Sequence, residues 1–123
     1  MLVIRKAQVD ALTASLRARF AVRMATALAA RHPGAERAAG GSEAFQRAVE
    51  QGIERALGYG VQRARDVAQF LDVMAIFGPR FDLDPELPWA GLVLRRQGLE
   101  GAAKASMLSG AARAALARRA APR

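Results

Sequence analysis

His32 is the single histidine of a chain without cysteine. Any Ser–His or Cys–His arrangement therefore reduces to His32 with Ser15, Ser42, Ser106 or Ser109. His32 precedes Pro33 at the end of a helical stretch, where a cation complements the helix dipole, and this gives it a structural role. A second concentration of titratable groups is Asp82, Asp84 and Glu86, in the stretch PRFDLDPELP. Carboxylates so closely spaced suit a hard cation. The stretch lacks the glycine and the distant glutamate of a calcium loop, and Arg80 competes for the same oxygens. It reads instead as turn and cap chemistry with an ion pair, anchored in the core by Leu83 and Leu87. Gly58-Tyr59-Gly60 lacks the preceding strand, the third glycine and the lysine of a phosphate loop. The acidic residues between 36 and 54 have arginines interspersed, as on a solvated helix face rather than in a glycosidase pair. These readings assign no catalytic residue, no metal ligand and no cofactor, and the expectation is a protein that is not an enzyme.

What remains is recognition. Phe81, Leu83, Leu87 and Trp89 are apolar anchors in and beside the proline-rich loop. Such residues serve as protein-binding hot spots, or as plugs sealing one end of a bundle, the commoner use. The basic ends carry Arg5, Lys6, Arg17, Arg19, Arg23 and Arg31, and then Arg113, Arg118, Arg119 and Arg123. They suit phosphate backbones by charge, but no aromatic residues interleave with them for base stacking. The excess of arginine over lysine, with abundant alanine and glycine, is also what a GC-rich coding sequence yields. The best partner-contact residues are Arg17, Arg19, Arg23 and the 81–89 loop with Phe81, Leu83, Leu87 and Trp89.

The elements that position these residues all read as helices. A first helix is expected over 4–32, because Val9, Leu12, Leu16, Phe20, Met24 and Leu28 recur every three or four residues until Pro33-Gly34. At roughly 40 Å it is long for so small a domain, so one end projects. Residues 33–41 read as a loop. Ser42 is placed to cap a second helix over 43–57, closed by Gly58. The third, over 62–77, is the most apolar, carrying Val67, Phe70, Leu71, Met74 and Phe77 and widened by Ala64, Val73 and Ile76; it belongs at the centre of the fold. Gly78-Pro79 ends it. Pro88 opens a short fourth helix, 88–96, with Trp89, Leu92 and Val93. A last helix is expected over 100–118, with Met107, Leu108, Ala111, Ala112, Ala115 and Leu116 inward, and residues 119–123 frayed. The expectation is an all-α compact bundle of four to five helices in a single domain, with a long N-terminal helix and a proline-rich acidic loop before the short fourth one.

Composition sets the outer bounds. The chain has 123 residues, 52% of them hydrophobic, which separates it from disordered chains. Its net charge of +8 is uneven: residues 1–32 hold six basic and one acidic side chain, and the stretch after residue 100 holds five basic and none acidic. No apolar run approaches the roughly 20 residues a bilayer span requires. Met1-Leu2-Val3-Ile4-Arg5-Lys6 places charge after the apolar stretch, the reverse of a signal peptide. A cytoplasmic location without membrane contact is expected.

Three segments carry a family resemblance: VIRKAQVDAL at the start, GIERALGYGVQRARDVAQFLDVMAIFGPRFDLDPELPWA in the middle, and the lysine-led last helix. They resemble small helical proteins encoded in bacterial type VI secretion effector clusters, beside spike-associated toxins and their immunity or adaptor proteins. The likeness covers residues 1–116 and is densest from Gly52 to Trp89. Its distinctive part runs from Arg65-Asp66-Val67 to the Phe-Asp-x-Asp-Pro-x-Leu-Pro-Trp loop. No enzymatic motif attaches to these proteins. The resemblance implies an accessory role, as adaptor or chaperone for a secreted toxin or spike protein, exported with it or retained in the cytoplasm. The alternatives are an immunity protein that inhibits the toxin by direct binding, a small basic nucleic-acid-binding protein, and a hydrolase without recognisable motifs.

Overall fold

The computed structural model describes residues 6–120, with side chains from Ala14 onward. Among these the protein is all-α, with no strand: α1 (Lys6–Arg31), α2 (Ala35–Ala39), α3 (Ser42–Gly58), α4 (Ala64–Phe77), a 3-10 turn (Phe81–Leu83), α5 (Pro88–Leu94) and α6 (Gly101–Ala120). The chain divides into two compact units, one ending at Glu50 and the other beginning at Gln51, so that α3 runs through the division.

In the first unit, α1 stops where Pro33 requires. The expected loop that follows contains a helical turn, α2, because Ala35-Glu36-Arg37-Ala38-Ala39 is rich in helix formers. Gly40 closes it at φ 105°, with Gly40 N–H donating to Arg37 C=O and Gly41 N–H to Glu36 C=O, the Schellman arrangement. Gly41 C=O then accepts the Phe45 N–H, so Ser42 is the first helical residue of α3 rather than its cap. Ala21, Met24, Leu28, Phe45 and Val49 are buried. Leu16, expected inward, is 56% exposed. Val9 and Leu12 lie outside the described side chains.

In the second unit, Gly60 and not Gly58 closes α3. Val61 N–H donates to Ala56 C=O and Gly60 N–H to Leu57 C=O, and only Gly60 needs a positive φ, 87°. α4 presents Val67, Phe70, Leu71, Val73 and Met74 to the interior and packs along α6, while α5 packs on both α6 and the 3-10 turn. The buried positions of α6 are Leu108 and three alanines, Ala105, Ala112 and Ala115, whose small side chains let the helix lie close to its neighbours. A side chain at Gly101 would collide with the Gly60 carbonyl, so the start of α6 touches the α3–α4 turn backbone to backbone. Lys104 Nζ donates to Tyr59 C=O at 2.8 Å and fixes the same junction. Ile76 and Met107, expected inward, are 37% and 41% exposed. α6 remains helical through Ala120, past the fraying expected from 119; residues 121–123 lie outside the described residues.

Candidate functional site

The proline-rich loop is ordered by a polar cluster inside the second unit. The Asp82 side chain is fully buried. Its Oδ2 accepts the Tyr59 hydroxyl at 2.8 Å, and its Oδ1 faces Arg55 Nε at 3.3 Å. That ion pair lacks hydrogen-bond alignment, so the attraction between the two atoms is Coulombic. Arg55 also donates to the Pro79 carbonyl, and Arg95 donates to the Asp82 carbonyl at 3.3 Å. The last turn of α3 and the end of α5 therefore grip the loop from two directions. Burial, reinforced by the hydrogen bond to Asp82 and its negative charge, pushes the Tyr59 phenol above its ordinary value near 10; the Arg95 guanidinium pulls the other way. The Tyr59, Phe70 and Phe81 rings pack at tilted angles beside the cluster, with centroids 6.3 and 5.0 Å apart.

On the outer side of this loop lies an open groove of about 810 Å³. Leu83, Pro85, Pro88 and Leu92 give it apolar lining, and Arg95 and Arg96 line it with charge. Leu83 is 57% and Leu92 73% exposed. Gly91 forms part of the floor because the Arg95 guanidinium lies across it, where a larger residue would collide.

The sequence-predicted contact residues separate into two kinds. Phe81 is 1% exposed, packs against Phe70, and cannot reach a partner. Leu87 is buried at 8%. Trp89 is half-buried edge-on against Phe77, whose ring Arg119 covers at 4.7 Å. These three are the plug; of the four anchors only Leu83 is a surface residue. Arg17, Arg19 and Arg23 are all exposed on α1, in the other unit. Leu92, Arg95 and Arg96 are additional groove residues that sequence reasoning did not assign to a site. Leu92 has the spacing of a core residue, and its exposure follows from which face of the short α5 meets α6.

Two of the loop's three carboxylates, Asp82 and Asp84, are committed internally. Asp82 faces Arg55 rather than the expected Arg80, and Asp84 Oδ1 accepts the Glu86 N–H at 2.9 Å in a local turn. Among the described residues no group of three His, Asp or Glu side chains is arranged to hold a metal ion. Nor is any helix there long and apolar enough to cross a membrane. No family model, curated protein or solved structure matches the chain.

Proposed function

We propose that this chain is a non-catalytic binding module that holds another polypeptide in the groove between its proline-rich loop and α5. The observation that carries this reading is the exposed pair Leu83 and Leu92 on a backbone pinned from beneath by Asp82, Arg55, Tyr59 and Arg95. A leucine at 73% exposure forgoes most of its burial energy, about 1.5–3 kcal/mol for a large aliphatic side chain, and a partner recovers it. A preordered loop also spares the partner the ordering entropy that a mobile one costs. The narrower reading, an adaptor or chaperone for a type VI secretion toxin or spike, rests on the sequence resemblance.

The test is affinity purification from the native host with wild type and Leu92→Asp. Leu92 is a surface residue, so the variant should fold with stability within about 0.5 kcal/mol of wild type. Wild type should retain a toxin or spike polypeptide that Leu92→Asp loses. A toxin still active in the complex identifies an adaptor; one silenced at equal stoichiometry identifies an immunity protein. Recovery of nucleic acid alone, released by salt, or of the same polypeptides with both variants, contradicts the groove reading.

A further inference from the structure

The groove leaves one feature of the first unit unused. Leu16, Arg19, Phe20 and Arg23 stand at i, i+3, i+4 and i+7 on α1, the spacing that aligns side chains along one ridge of a helix. Leu16 is 56% exposed, Phe20 is half-buried, and both arginines are exposed, with the Arg23 guanidinium 6.0 Å from the Phe20 ring centre. The buried side of the same helix, Ala21, Met24 and Leu28, points elsewhere around its axis, by more than a quarter turn at Leu16. Phe20 lies one turn before buried Met24, so Leu16 and Phe20 form the outer edge of the same apolar stripe, which runs from the buried side out to an exposed Leu16.

Charge decides what covers it. No acidic residue occurs between Asp10 and Glu36, whereas Arg17, Arg19, Arg23 and Arg31 all fall in that interval. A second copy laid along the ridge would set arginines against arginines, which costs affinity. Duplex nucleic acid would satisfy the arginines but leave Leu16 and Phe20 without an apolar counterpart. We infer that the Leu16–Arg19–Phe20–Arg23 ridge docks an acidic amphipathic helix of another protein, with leucine-type side chains meeting Leu16 and Phe20 and carboxylates meeting Arg19 and Arg23. This surface is additional to the groove of the second unit and does not depend on it.

The experiment uses the full chain and three labelled probes: a synthetic amphipathic helix with leucine at the heptad core positions flanked by glutamate, its lysine-flanked counterpart, and a DNA duplex, each followed by fluorescence anisotropy. The glutamate peptide should bind, more weakly as salt rises, and the lysine peptide should not. The double variant Arg19→Glu, Arg23→Glu should weaken the glutamate peptide about tenfold or more and admit the lysine peptide, a reversal that loss of folding cannot produce. Leu16→Asp should weaken the glutamate peptide, whereas Leu92→Asp should not, so failure here and failure of the groove reading remain distinguishable. Tighter binding of the duplex, indifference to the charge reversal, or self-association that Leu16→Asp abolishes would each overturn the inference.

Discussion

Asp82 illustrates how far a residue's role depends on what lies opposite it. By its neighbours it is one of three acids in a proline-rich turn, and Arg80 is the obvious partner. In the fold it is the innermost of them, facing Arg55 in the last turn of α3. A pairing between residues 27 positions apart is set by how α3 meets the loop, and no local pattern encodes that. The burial of Asp82 has a direct consequence. Asp82→Ala would leave Arg55 facing an uncharged site and the Tyr59 hydroxyl without its acceptor, and should cost about 3 kcal/mol, toward the low end because Arg55 retains some solvent contact. Urea unfolding monitored through Trp89, the single tryptophan, measures it. Tyr59→Phe should cost less, about 1–2 kcal/mol, since it removes one hydrogen bond and leaves the ion pair. Tyr59 also sets an alkaline limit. Its neutral phenol is favoured in the folded state, so its contribution to stability is complete below about pH 10 and is lost as pH rises through the raised folded-state value. Because it is the single tyrosine, tyrosinate absorbance reports this ionisation alone, and its midpoint in the native chain should lie above that in denaturant. Tyr59→Phe should remove this part of the alkaline loss.

At the scale of elements, periodicity and breakers made the helices legible: α1, α3, α4, α5 and α6 begin and end within two residues of expectation wherever those residues are described. Proline and glycine punctuate the chain so densely that the ends are marked twice. Illegible were the choice of capping glycine and the direction of weak stripes. Gly58 and Gly60 are equally good glycines, and only the hydrogen bonds to Ala56 and Leu57 show which one takes the left-handed conformation. Alanine-rich α6 has nearly equal hydrophobicity all round, so the pattern placed Met107 inward with Leu108, whereas α4 and α5 claim the face with Leu108 and leave Met107 exposed. Three glycines provide a test of what each junction tolerates. Gly60→Ala should cost about 1 kcal/mol for its positive φ. Gly101→Ala should cost more, about 2 kcal/mol, because the new Cβ meets the Gly60 carbonyl and backbone cannot step aside. Gly91→Ala meets only the flexible end of Arg95, and the helix-propensity gain of about 1 kcal/mol should offset the lost bond to Asp82. The expected order of thermal midpoints, Gly91→Ala highest and Gly101→Ala lowest, would not arise if the glycines were interchangeable.

Across the whole molecule, burial is distributed unequally, and this predicts where the chain opens. α4 devotes six residues to the interior, counting Asp66, and packs along α6; opening it exposes the aromatic pair of Phe70 and Phe81. From Ala14 to Arg19 every α1 side chain is exposed, so that stretch has little side-chain burial to lose when its backbone hydrogen bonds break. Native-state hydrogen exchange should therefore be fastest, among the described helices, in the early turns of α1. The amides of Phe70, Leu71, Val73 and Met74 should be the slowest, exchanging only when the helices of the second unit open. Addition of the glutamate-flanked peptide should change the first pattern and not the second: protection should rise through Ala14–Arg23, because docking holds that ridge closed in proportion to ligand excess over its dissociation constant. A bound peptide that slows exchange around Leu83 and Leu92, leaving α1 unchanged, would assign the acidic helix to the groove.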